Sequence, residues 1–314
     1  MTPPDPAPPA KAGDNDAQGM MIALLGFGCL TIGDGVIKSI AGEWPGTAVA
    51  GMRYLIGTVG LLIILLAVEG RKGLRFPMPW AQIGRGVSVG VATIAFFSAI
   101  FLMPLADAVA IQFTSPMLTA LLSALILGER LPRAAWPATL IAFAGMLLIL
   151  RPNVADLGWA ALLPVVAALG ISAMMVFNRM VAGSGSVLLM QLLISAIAAP
   201  VIVLAAIIGH FSGFEALRVD TPGWSVVGRC AFVAVTATLS HLLIYVATTK
   251  ASAAITAPMV YVQLLTAAII GIVFFGDWPD PLALAGAMLI IGAGLWLWWR
   301  ERRRAKLLSP GTPA

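Results

Sequence analysis

Charge is scarce in this chain: only 11% of its 314 residues are Asp, Glu, Lys or Arg, against about a quarter in an ordinary globular protein. Hydrophobic residues make up 60%, and the mean hydropathy is +0.97. A soluble domain cannot cover that much apolar surface with so few polar groups, so the chain reads as a multi-pass membrane protein. Cysteine is nearly absent too. Cys29 and Cys230 each lie inside an apolar run, which excludes a disulfide framework or a spaced zinc site and leaves them as small packing residues. Two histidines, no HExxH and no GxSxG leave no metal cluster and no serine nucleophile, and GSGS at 183–186 reads as a flexible turn. No cofactor and no metal are expected, and no enzymatic activity; a membrane-embedded enzyme is the rival from another class. Long polar links are missing as well. Only His210 to Gly223 exceeds about ten residues between apolar segments, which excludes a soluble catalytic domain.

What is present is a series of apolar segments. A hydrocarbon core about 30 Å thick needs about 20 apolar residues at 1.5 Å each. Cutting at polar, Gly and Pro clusters gives ten segments, at 18–41, 46–68, 79–103, 106–127, 134–150, 158–181, 186–209, 224–248, 252–275 and 281–299. Residues 1–17 are polar and proline-rich, unlike a cleavable signal peptide, and read as a disordered cytoplasmic tail. Residues 303–314 read as a basic cytoplasmic tail. Fourteen of the 19 lysines and arginines fall on one side if the N-terminus is cytoplasmic, against three on the other (Arg151, Arg218 and Arg229). Short cytoplasmic loops carry such an excess, so both termini are expected in the cytoplasm. The pI of 9.6 follows from these flanks, with no basic face for nucleic acid.

The two halves echo one another. LGERLP at 127–132 returns as FGDWP at 275–279; a shift of 148 places Gly128 on Gly276, Glu129 on Asp277 and Phe113 on Tyr261, and a shift of 147 places Gly145 on Gly292. Five spans lie before residue 152 and five after it. Units with an odd number of spans insert in opposite orientations, which gives an inverted repeat with a site near the midplane between the halves. The expected fold is therefore all-α integral membrane: ten transmembrane helices as two inverted five-helix repeats, 18–152 and 153–302, around a central cavity.

Charges inside such spans are costly, roughly 2.5–3.5 kcal/mol each on insertion scales, and usually face a wet interior. Asp34 and Lys38, four apart on one helix face, can pair, with Lys38 either a snorkelling clamp or a ligand group. Arg53 can complete a cluster with them or reach a substrate anion. His241, beside Ser240, is a candidate for proton coupling together with Asp34, or a hydrogen-bonded packing residue. Gln112, Thr114 and Ser115 correspond to the segment holding Tyr261 and Gln263, a polar and aromatic shelf suited to a ligand or to interhelical hydrogen bonds. Phe96, Phe97 and Phe101 are candidates for cavity or lipid. Pro104, Pro116 and Pro258 can break spans, and Asp107 is expected to cap the fourth.

The segment LMPLADAVAIQFTSPMLTALLSALILGERLPRAAWPATLIAFAGMLLILRP (102–152), its echo YVQLLTAAIIGIVFFGDWPDPLALAGAMLIIGAGL (261–295) and the first-span D-x-x-x-K followed by Arg53 resemble the drug/metabolite transporter superfamily, in its ten-helix EamA branch. The resemblance covers about residues 18–302. It implies a helical basket whose cavity is lined mainly by spans 1, 3, 4, 6, 8 and 9, with the second span peripheral, working by alternating access in a bacterial inner membrane. It implies a secondary transporter for a small amphoteric organic metabolite, amino-acid-like in the first reading. Uptake of riboflavin- or S-adenosylmethionine-like solutes is the alternative. The partners expected are a small-molecule substrate, the lipid bilayer and, as a candidate coupling ion, the proton; monomer and homodimer both stay open.

Overall fold

The computed structural model describes residues 12–128, 135–250 and 257–308. Among them all regular structure is helical. The helices are α1 (Ala12–Lys38), α2 (Gly46–Val68), α3 (Pro79–Leu102), α4 (Leu105–Gln112), α5 (Ser115–Leu127), α6 (Ala135–Leu157), α7 (Leu163–Met180), α8 (Val187–Phe211), α9 (Trp224–Lys250), α10 (Val262–Ile270) and α11 (Pro281–Leu308). Within the described residues, eight helical segments are long and apolar enough to cross a membrane by length and composition, and Trp136–Arg151 and Met259–Phe275 are shorter apolar helices. Large side chains such as Leu125, Leu140 and Phe274 stand exposed, as a surface solvated by lipid rather than water permits.

Several boundaries have a local cause. Pro79 occupies the first position of α3, where a missing N–H costs nothing and φ is already helical. The expected fourth span is interrupted: α4 ends at Gln112 and α5 starts at Ser115. Pro116 has no N–H to donate four residues back and its ring crowds that turn. The chain therefore tightens through Phe113 and Thr114, with Thr114 N bonded to Ile111 O at 3.1 Å. A second break precedes α10, where Ala257–Tyr261 forms a 3₁₀ turn, and α10 runs on into a π turn at Gly271–Phe275; the start of the expected ninth span, 252–256, lies outside the described residues. So do Glu129 to Pro132 of the repeated LGERLP, Arg133 and Lys11. Between the expected halves α6 continues through Asn153 to Leu157, then turns at Gly158, whose φ of +58° suits glycine.

Helices pair across the sequence. α1 packs on α9, α3 on α7, α2 on α8, α6 on α11, and α3 also on α8. The main buried cluster includes Ile37, Val49, Phe97, Ile100, Leu105 and Ile111. At the α6–α11 crossing two backbones touch: a Cβ added to Gly145 would lie 2.6 Å from the Gly286 carbonyl oxygen, and one added to Gly286 would strike the Gly145 carbonyl oxygen. Small residues at such crossings let helices approach closely without a hydrophobic drive from water.

Candidate functional site

A cavity of about 360 Å³ opens among α1, α2, α3, α4, α7, α8, α9 and α10. Five of the polar residues singled out by sequence line it: Asp34, Arg53, Gln112, His241 and Gln263. Their positions follow from the breaks and pairings above. Gln112 is the last residue of α4 and Gln263 lies in the first turn of α10, so each side chain enters the cavity at an interrupted span. Asp34 comes from the last third of α1, and His241 from α9, which packs on it. The Arg53 guanidinium is the charged neighbour of both Asp34 and His241. It also stacks over Tyr54 and Phe97, at 5.3 and 5.4 Å from the ring centroids, an arrangement that favours a cation. Acid, base, imidazole and two carboxamides thus converge on one space with aromatic walls, which can hold a solute bearing both charged and planar parts.

The remaining sequence candidates are engaged elsewhere. Lys38 does not pair with Asp34. Its Nζ donates to Asp277 Oδ2 at 2.6 Å and to Met103 O at 2.9 Å, and lies 5.1 Å from the Phe275 ring. Spacing puts Asp34 and Lys38 on one face, but Asp277 is nearer the lysine's extended reach and leaves Asp34 free to face the cavity. No hydrogen bond from a described residue reaches the Asp34 carboxylate. Thr114 is fully buried and donates to Ile111 O at 2.8 Å. The Ser115 carbonyl accepts from Ser172 Oγ at 2.9 Å, tying α5 to α7. Tyr261 meets Phe113 edge-on at 5.5 Å. None of these four lines the cavity. Asp107 does not cap α4 either: Pro104 holds the cap position, and Asp107 accepts from Asn153 Nδ2 at 3.0 Å, joining α4 to α6.

Lys38 and Asp277 lie at the end of the bundle where Arg229 also bonds Glu43 and donates to Ser39 O at 2.8 Å. These contacts tie α1 to α9 and to the segment that follows α10. Lys38→Met should lower stability by about 1.5–3 kcal/mol, the usual worth of a charged hydrogen bond. Asp277→Asn should do the same, and thermal unfolding of the double variant in detergent should give less than the sum.

Sequence reasoning passed over Tyr54, Arg85, Thr93, Gln191, Ser195 and Thr238, all on the cavity wall. Tyr54 Oη and Thr93 Oγ1 are 3.0 Å apart, linking α2 to α3. A signal existed: Arg85, Val89, Ala92, Thr93 and Phe96 recur at helical spacing along one face of α3, as do Arg53, Gly57 and Leu61 on α2. Both α2 and α8 line the cavity, so the second span is not peripheral here. Phe96 and Phe97 belong to the wall, whereas Phe101 packs beside Gly46.

Residues 17–151 match the EamA-like transporter family. The chain is 24% identical over 294 residues to the S-adenosylmethionine uptake transporter of Rickettsia bellii, covering 92% of this chain and 98% of that one. It is 28% identical over 240 residues to the riboflavin transporter of Rhizobium johnstonii, 76% of each chain. To the pseudopaline exporter CntI of Pseudomonas aeruginosa it is 27% identical over 276 residues, 88% of this chain and 94% of that one. A solved crystal structure 18% identical in sequence superposes with a TM-score of 0.56 over 89% of this chain and 95% of the other, a likeness of fold. These relatives are transporters and not enzymes. The chain is a multi-pass membrane protein whose residues 17–151 are similar to the EamA-like transporter family.

Proposed function

We propose that the protein is a secondary transporter that moves a small amphoteric organic metabolite through the cavity by alternating access. The observation that carries this reading is the convergence of Asp34, Arg53, His241, Gln112 and Gln263 on one space: an acid and a base read opposite charges, and the carboxamides bond the body of the solute. An amino-acid-like zwitterion is the simplest fit. S-adenosylmethionine-like solutes share that zwitterion, and the rings of Tyr54, Phe96 and Phe97 favour a second reading, uptake of a riboflavin-like molecule.

The same reading takes the chain as ten spans in two inverted halves, 18–152 and 153–302, in a bacterial inner membrane with both ends cytoplasmic. Support comes from the pairings. Exchanging the first five spans for the second five turns the α1–α9 contact into the α7–α3 contact and maps α2–α8 and α6–α11 onto themselves. Asp34 and His241, flanking one guanidinium, are the proposed proton-coupling pair. Flux of labelled amino acids, S-adenosylmethionine and riboflavin into proteoliposomes, with and without a pH gradient, tests substrate and coupling together; if none of them moved, the amphoteric-metabolite reading would fail. For the solute that does move, Gln112→Ala and Gln263→Ala should each raise KM about two- to tenfold, since a neutral hydrogen bond is worth about 0.5–1.5 kcal/mol. Turnover should change little, because the interaction forms on binding. Initial-rate uptake measures both.

A further inference from the structure

Arg85 is 6% exposed and lines the cavity, yet no described acid lies within ion-pair distance of it. Its Nη1 donates to Gln82 Oε1 at 3.0 Å and touches Met190 Sδ at 3.7 Å; its buried Nε has no partner. A carboxamide and a thioether are weak company for a guanidinium, whose burial without a counter-charge costs several kcal/mol. The arginine stands well away from the Asp34 group. Thr93 marks the level of Tyr54, and eight residues of α3 separate it from Arg85, about 12 Å along the helix. Around Arg85 the wall is made by Asn178 from the end of α7 and Gln191 from the start of α8, both neutral and able to donate.

We propose that Arg85 is a second anion station, at the opposite end of the cavity from the Lys38–Asp277 pair, that receives the carboxylate of the travelling solute. The guanidinium supplies a planar fork for two oxygens, and Asn178 and Gln191 supply neutral donors beside it. A small zwitterion cannot touch Asp34 and Arg85 at once across that length, so the two stations are occupied in turn. The ligand's identity rests on the carrier reading; the site itself does not.

The test uses the full chain purified in detergent, followed by thermal unfolding while sodium phosphate or sodium glutamate is titrated at constant ionic strength. Wild type should show a saturable rise in melting temperature with both. Arg85→Gln should lose at least tenfold in apparent affinity for either anion, Arg85→Lys should lose less, and Asp34→Asn should keep the phosphate response whether or not transport survives. Without anion, Arg85→Gln should melt no lower than wild type, because an uncompensated buried charge has gone; an arginine with a purely structural role would make that variant melt lower. An unchanged anion response in Arg85→Gln, or no response in wild type, overturns the site. A response to phosphate with none to glutamate marks a station for bath anions and overturns the assignment to the solute.

Discussion

Asp34→Asn protein should fold and insert normally and move its solute at least tenfold more slowly than wild type. The carboxylate lines the cavity without a described hydrogen-bond partner, and its charged neighbour is Arg53. Whatever ammonium or other cationic group enters must find its counter-charge there. A charged hydrogen bond is worth about 1.5–3 kcal/mol, and each 1.4 kcal/mol is about tenfold in affinity, so the loss should lie between about ten- and a hundredfold. A second effect adds to it. Neutralising Asp34 leaves the Arg53 guanidinium uncompensated beside His241, which repels a positive solute from the same place. Asp34→Glu restores the charge one methylene farther out and should recover part of the rate. Counterflow in proteoliposomes, normalised to monodisperse protein, measures all three; wild-type rates for Asp34→Asn would remove this residue from the site.

The largest structural effect is expected at the α6–α11 crossing. Gly145→Val and Gly286→Val should each depress the melting midpoint by several degrees and cut the yield of monodisperse protein. The obstacle is backbone, not the end of a flexible side chain: the first added carbon on either glycine meets the other's carbonyl oxygen, and on Gly145 it also meets Ile290 at 3.0 Å. Relief requires the helices to separate, and overpacking of this kind costs about 1–3 kcal/mol or more. Gly292 is the control. A Cβ there meets nothing within 4 Å, so Gly292→Ala should be neutral or slightly stabilising through helix propensity. Equal damage at 145, 286 and 292 would mean that the crossing is not the cause.

Much of the helical framework could be read from the chain because lipid imposes simple arithmetic: apolar length and punctuation by Gly and Pro set where helices begin and end. Expected segments at 46–68 and 79–103 became α2 and α3 within one residue. Partnerships were harder to read. Asp34 and Lys38 satisfied the local rule for pairing, but Lys38 found Asp277, 239 residues away, which the sequence presented only as part of a repeated glycine-acid-proline signature. Gly145 aligned with Gly292 in that repeat, while the residue it touches is Gly286. Similarity between halves says which positions correspond; contact depends on how the halves meet. Arg85 was hidden for another reason, since a cation near a span end looks like an ordinary flank until burial is known.

The knot that joins Lys38, Asp277 and the Met103 carbonyl, with Arg229 and Glu43 nearby, makes one mouth of the protein answerable to dissolved salt. Glu43 is nearly half exposed and Asp277 a quarter, within reach of the ion atmosphere that weakens such attractions at high ionic strength. Raising sodium chloride should therefore speed labelling of a cysteine placed just beneath that knot, while one beside Arg85 keeps its rate.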